Sequence, residues 1–492
     1  MKLSVHPAYY KLKRFLWGMS LFLLPVTSFR YLPLGSGTQV RPLSLVPLGG
    51  LLVVLLLESV EKRRFLLKNS VASLLLAFVL VALMATMVGG WIGVPNLYEY
   101  TYASRVVRAW VSLGMGILFF LVPAAMNRNE EDLRFTLKWL YWGLVLHVFG
   151  AVMQLTNYYV LETVFEDQPS LADLVDPVQK KIMMAGLPVN RRISGMALEP
   201  SWLASQIAST YFPWCFAAWL AGYSWIRRRQ LLGVSAICLL LAALTFSRTG
   251  LLVIAGAGLL TFLLTGQEHL RRAWQWFWSP FRTHGMHKRR QELAQRIALL
   301  ILMAAAAGGI FLFLGSNHYF AQLWEARSTS LTDYFVDIYA GPRLALAQAG
   351  WQVFEKYPWS GVGLGAAGFY LHQFLPDWSH FNILETAELL SPDNTVFPNT
   401  KNLYIRLLAE TGIFGFWIFI AFYFVLIGKS LAWAKSSDSF KRFVGIGGLF
   451  GVLAVAALGL SFDSLANPMI WVTPGILLGL SDALLTEGHL SG

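Results

Sequence analysis

The chain has 492 residues, 56% of them hydrophobic and 13% charged, against about 25% charged in ordinary globular chains. Mean hydropathy is +0.54, so a soluble fold is excluded and the sequence reads as an all-α, polytopic membrane protein forming a single integral membrane domain over 1–492. The formal charge of +12 leaves nucleic acid in contention until that charge is placed along the chain.

Uncharged stretches predict twelve transmembrane spans, near residues 15–29, 42–57, 70–92, 109–127, 139–156, 200–226, 230–247, 249–266, 297–315, 402–428, 443–462 and 466–486. The first two are short and need tilt or snorkelling basic residues to cross. With the N-terminus in the cytoplasm, 25 of the 39 Lys and Arg fall in cytoplasmic segments. That bias is the signature of orientation, because basic residues resist translocation. It predicts a multi-pass membrane protein with both termini cytoplasmic. Arg227-Arg228-Arg229 and Lys288-Arg289-Arg290 are then explained by topology and anionic lipid, which removes nucleic acid as a partner.

Two extracytoplasmic loops are long, 157–199 and 316–401. Long loops rich in Trp, Tyr, Gly and charge are where function concentrates. In the second, residues 341–357 read as an amphipathic helix on or near the membrane, with Leu344, Leu346, Ala347, Gly350, Trp351 and Phe354 on its apolar side. Cys215 and Cys238 sit in apolar runs with no metal or redox spacing. His318, His372 and His380 have no ligand spacing, and no metal site is expected.

Charges at membrane edges cost about 2.5–3.5 kcal/mol and mark candidate sites. Arg248 lies in Thr245-Phe246-Ser247-Arg248-Thr249-Gly250 between two spans, where it either snorkels to headgroups or binds an anion with its hydroxyl neighbours. Arg191 and Arg192 open a segment that reaches Glu199-Pro200-Ser201, a helix start at which Glu199 is either a cap or a proton acceptor. Arg343 heads the loop helix. Gly361-Val362-Gly363-Leu364-Gly365 lacks the strand of a dinucleotide fingerprint and reads as a tight turn. At the tenth span, Arg406 and Glu410 can pair across one helical turn, while Lys401 at its mouth has no such partner.

In order and placement these segments resemble the O-antigen polymerase and O-antigen ligase superfamily. The resemblance runs from about Arg191 to Gly415 and is carried by Arg-x-Ser-Gly with Glu-Pro-Ser, Thr-x-Ser-Arg-x-Gly at 245–250, the Arg343 helix with Gly-Val-Gly-x-Gly, and Lys-Asn with Ala-Glu-Thr-Gly from 401 to 415. It implies glycosyl transfer from undecaprenyl-pyrophosphate-linked glycan on the outer side of the inner membrane, without nucleotide, metal or other cofactor. Ligases of the family carry His before Asn where this chain has Lys401 and Asn402; Lys401 and the Glu-Pro-Ser stretch are more similar to polymerases. The runner-up is a ligase acting on a lipid A core or protein acceptor, and a flippase or transporter is the alternative of another class. The roles implied are Arg248 and Arg343 on the pyrophosphate, Glu199 as proton acceptor, and Lys401 as a supporting cation. Arg191, Arg192, Asn402, Arg406 and Trp359 would bind substrate, with Trp351, Tyr370 and Trp378 as further sugar-stacking aromatics. Membrane lipids, a flippase and a chain-length regulator are the implied partners.

Overall fold

The computed structural model describes residues 7–33, 39–62, 70–156, 192–223, 225–282, 286–391 and 396–488. The helices are α1 (Pro7–Phe22), α2 (Leu45–Lys62), α3 (Ser70–Ile92), α4 (Tyr102–Met126), α5 (Glu130–Thr156), α6 (Pro200–Gln206), α7 (Phe212–Ala221), α8 (Arg228–Leu244), α9 (Arg248–Thr265), α10 (Gln267–Trp278) and α11 (Met286–Gly315). After these come α12 (His318–Glu325), α13 (Leu331–Asp337), α14 (Gly341–Lys356), α15 (Gly368–Leu371), α16 (Trp378–Asn382), α17 (Leu384–Leu390), α18 (Leu403–Ala434), α19 (Ser439–Leu458) and α20 (Pro468–Gly488). Among the described residues, bridge pairing is confined to the isolated contacts Ser28 with Arg41 and Leu97 with Tyr100.

A helix stands at each of the twelve predicted segments, and seven of these are long and apolar enough to cross a membrane. Among the described residues, seven of the twelve expected spans meet this measure. The others are short, interrupted or charged. Span boundaries also shift, because helices run through the charges used to delimit them. The span expected from 109 begins at Tyr102 and carries Arg105 and Arg108 inside the helix.

The sixth segment shows why apolarity alone does not fix regular helix. A π-helical turn, Ile207–Tyr211, joins α6 to α7. Such a turn leaves backbone carbonyls without their usual partners. Thr473 Oγ1 donates to Ser209 O at 2.6 Å and Tyr141 Oη donates to Tyr211 O at 3.1 Å, so the irregularity is satisfied inside protein, as lipid requires. Around it the core packs Trp214, Phe450, Phe443 and Tyr211, each at most 2% exposed.

Successive long helices alternate between two faces. One face gathers the pairs Arg14 with Asp132, Arg134 with Glu130, and Arg442 with the carbonyl of Ala221. The other receives the chain between α11 and α18, the start of α6, and the turn between α8 and α9. The loop helix α14 differs from its expected role on the membrane surface. Its buried stripe is Ala345, Leu346, Ala349, Gly350 and Val353, and a Cβ on Gly350 would come within 2.6 Å of Ile405 in α18. Leu344 and Trp351, expected on the apolar side, are exposed. The helix is a wall of the protein, set one residue out of register from the amphipathic reading. Both cysteines are buried and free.

The charge bias predicts that the face carrying α12–α17 is extracytoplasmic. Leu331→Cys, at an exposed site on that face, should react with an impermeant thiol reagent in intact cells. Gln275→Cys in α10 should react only after lysis, and Cys215 and Cys238 should give no background. Labelling of Gln275→Cys alone would reverse the orientation.

Candidate active site

On the face of the long loops lies a cavity of about 770 Å³, lined by residues from 39–40, 100–112, 199–205, 247–249, 365–368, 396–410 and 461–467, together with Arg343. Sites for small ligands occupy about 300–1,000 Å³. Its walls bring together Glu199, Arg343, Lys401 and Arg406, which come from three separate stretches of sequence. They also add Arg105, Arg108, Glu410 and Asp463. Five cations thus face three carboxylates.

Glu199 is placed by the segment 192–198, which is threaded between helices. Gln154 Oε1 accepts from the amides of Ser194 and Gly195, both at 3.0 Å. His147 Nδ1 accepts from the amide of Met196 at 3.3 Å, and Nε2 lies 2.6 Å from Gln206 Oε1. An Nδ1 that accepts and an Nε2 that donates define a neutral imidazole, so His147 acts here as a fixed strut. Gly195 has φ +59, and a Cβ there would sit 2.9 Å from His147 Nδ1. Leu198 N then donates to Thr27 Oγ1 at 3.0 Å. Glu199 occupies the N-cap of α6, yet its carboxylate makes no capping bond. Instead Oε2 accepts from Ser201 Oγ at 3.0 Å, and the side chain remains exposed in the cavity. The cap reading of Glu199 therefore holds for its backbone and fails for its carboxylate.

Arg343 stands in the first turn of α14, and among the described residues no carboxylate pairs with it. Arg248 is placed differently from expectation. Ser247 caps α9, accepting from Gly250 N at 3.3 Å, and Ser247 and Thr249 line the cavity while Arg248 does not. The Arg248 guanidinium lies 4.0 Å from the Tyr319 ring centre and Nη1 donates to Ile338 O at 2.6 Å. Among the described residues its buried Nε and Nη2 have no hydrogen-bond partner. Arg192 approaches the same ring at 4.5 Å and donates Nε to Thr245 O at 2.9 Å; burial pulls its guanidinium below the ordinary value. Arg192 and Arg248 thus form a cationic layer behind the wall that holds Arg343. Arg191 lies outside the described residues.

The other pole is built on α18, which is broken at Gly412 (φ 63, ψ −169). The break frees the carbonyls of Ala409 and Glu410, which accept from Val362 N at 2.9 Å and Gly363 N at 3.0 Å, while Ile413 N donates to Pro358 O at 2.9 Å. The expected tight turn at Gly361–Gly365 is present, with φ of 62, 97 and 87 at its three glycines. A Cβ on Gly361 would meet Glu410 C at 2.4 Å, and one on Gly365 would meet Ala109 Cβ at 2.6 Å. This contact fixes Glu410 beside α4. Arg406 Nε pairs with Glu410 Oε2 at 2.9 Å, as expected, and Nη1 donates to Asp463 O at 2.6 Å.

Lys401 adopts φ +53 and has a partner that the local sequence did not offer, Glu385 of α17, at 3.2 Å. Asn402, expected on substrate, caps α18 by accepting from Tyr404 N and Ile405 N and does not line the cavity. Trp359 is 69% exposed and rests on Phe414. Neither it nor Trp351, Tyr370 or Trp378 lines the cavity; the aromatics that do are Tyr100, Trp202, Phe397 and Phe462.

Residues 233–420 match the family model described as O-Antigen ligase. Over that stretch, less than half of the chain, the sequence is similar to the O-antigen polymerase and ligase superfamily. The stretch includes Arg248, Arg343, Lys401, Arg406 and Glu410, whereas Glu199, Arg105, Arg108 and Asp463 reach the same cavity from outside it. No curated protein matches the chain. A fourth span that starts at 109, after its last charge, leaves out Arg105 and Arg108, which the helix includes. The signal was there in their spacing of three, which puts both on one helix face.

Gly412→Ala should destabilise the protein by at least about 1–3 kcal/mol, since its backbone conformation is open essentially to glycine alone and the new Cβ would lie 2.3 Å from Trp359 O. Gly428→Ala in the same helix meets open space and should be neutral or slightly stabilising. Thermal unfolding of the two purified variants compares them; equal midpoints would remove the glycine break from the account.

Proposed function

We propose that the protein polymerises undecaprenyl-pyrophosphate-linked oligosaccharide repeat units into O-antigen or exopolysaccharide by glycosyl transfer on the outer side of the inner membrane. The observation that carries this reading is the convergence of Glu199, Arg343, Lys401 and Arg406 on one cavity at the helix ends. The donor is already activated. The acceptor hydroxyl attacks the anomeric carbon, its proton passes to the Glu199 carboxylate, and the bond from that carbon to the pyrophosphate oxygen breaks. The leaving lipid pyrophosphate gains negative charge as the bond lengthens, and Arg343, which has no carboxylate partner among the described residues, can receive it from the wall, with Arg192 and Arg248 adding positive potential from behind. Lys401, held by Glu385, supplies charge at the mouth and is a poor base while protonated.

A ligase is the second reading, supported by the description of the matched family model. Lys401 supports the polymerase, because the ligases of the resemblance carry His at that position.

Transfer by the reconstituted protein, measured with lipid-linked repeat units, separates the roles. Glu199→Gln should lose about 10²- to 10⁴-fold, and Arg343→Ala about 10²- to 10³-fold, with unfolding unchanged. Lys401→Arg should keep most activity. A fully active Glu199→Gln would reduce that residue to a structural role, and a dead Lys401→Arg whose Lys401→His counterpart transfers to a lipid A core would turn the reading to ligase.

A further inference from the structure

We propose that Arg105 and Arg108 form a second anion subsite in the cavity, one that holds an acidic group of the acceptor glycan, either a phosphate or a sugar carboxylate. This rests on the transferase reading and deepens it. Arg105, Arg108, Ala109 and Ser112 all line the cavity, and their spacing of 3, 4 and 7 puts them on one face of α4. Two arginines in the opening turns of a membrane span are costly to keep unless they serve a charge. Arg105 is set in place by aromatic contacts, with its guanidinium 3.6 Å from the Phe397 ring centre and 5.4 Å from that of Tyr100. Among the described residues its buried Nε has no hydrogen-bond partner. The carboxylate closest to it electrostatically, Glu410, is already engaged by Arg406 at 2.9 Å. Asp463, also in the wall, gives its backbone oxygen to Arg406. With Arg406, three cations stand here against the carboxylates of Glu410 and Asp463, so the fixed charge at this pole is positive.

The two poles are distinct. Arg105 and Arg108 stand on α4 beside the Arg406–Glu410 pair of α18, whereas Arg343 stands on α14 with Arg192 and Arg248 behind it. One cavity thus offers two separate cationic ends, each beside a carboxylate. An enzyme that joins two anionic glycans has use for both, since the donor's pyrophosphate occupies one end and the acceptor must be drawn against the same field. Arginine suits this task because its planar fork grips two oxygens of a phosphate or carboxylate.

The test uses the full-length protein in phosphatidylcholine nanodiscs, titrated calorimetrically with inorganic pyrophosphate. Two ions should bind the wild type. Arg105→Gln/Arg108→Gln should leave one site, with the other weakened at least tenfold, and Arg343→Gln should weaken the opposite one. Methyl glucuronide distinguishes the source: displacement of pyrophosphate from the Arg105 end marks a sugar carboxylate, and failure to displace it marks a phosphate of the acceptor. Should the double Gln variant fail to fold, Arg105→Lys/Arg108→Lys keeps the charge without the fork and should weaken one site only. A single pyrophosphate in the wild type, or two undiminished sites in either double variant, would overturn the subsite. A wild type that binds two ions but transfers no glycan would instead count against the transferase reading.

Discussion

Everything in the cavity depends on one backbone contact, the glycine turn at 361–365 inserted against the broken helix α18. A helix that breaks inside a membrane exposes carbonyls that lipid cannot satisfy. Here the amides of Val362 and Gly363 satisfy those of Ala409 and Glu410. The same turn reaches α3, where Leu364 N donates to Thr86 Oγ1, and presses on α4 at Arg105 and Ala109. Glycine is required because the approach leaves no room for a Cβ and because the backbone takes positive φ at three alternate residues. One strap thereby fixes the position of α4, with its two arginines, against the Arg406–Glu410 pair.

The opposite wall solves a different problem, the presentation of a single carboxylate among cations. Glu199 is reached only through a segment pinned by Gln154, His147 and Thr27. Behind it, Arg192 and Arg248 share the Tyr319 ring, so their charge is felt in the cavity while their guanidinium groups stay in the wall. Charge held at fixed positions and partly removed from water acts more strongly than the same charge in solution. Lipid-exposed helices supply the scaffold, and the loop elements α12–α17 supply the cover.

Much of this was legible in the sequence because the membrane imposes simple rules. Apolar length located the helices, the glycine spacing gave the turn, and the separation of four between Arg406 and Glu410 gave their pair. The legible site residues were those lying within recognisable local patterns. What was not legible came from contacts between distant segments. Glu385 as the partner of Lys401, Ile338 as the acceptor for Arg248, and the burial of α14 against α18 depend on loop packing that no local period encodes. Arg105 and Arg108 were hidden by the practice of ending spans at charges, whereas helices continue through them when the charges face a cavity. The π-helical turn after Gln206 was likewise invisible, since its composition is ordinary and the hydroxyls that satisfy it, of Thr473 and Tyr141, come from other helices.

The central claim is that the bond between glycan and lipid pyrophosphate is broken at this cavity. Proteoliposomes holding the purified protein and one synthetic lipid-linked repeat unit test it most directly, with released lipid pyrophosphate and glycan size followed together. The expected result is release of one lipid pyrophosphate for each repeat unit added. Passage of intact lipid-linked units across the bilayer, with no pyrophosphate released and no longer glycan formed, would contradict it.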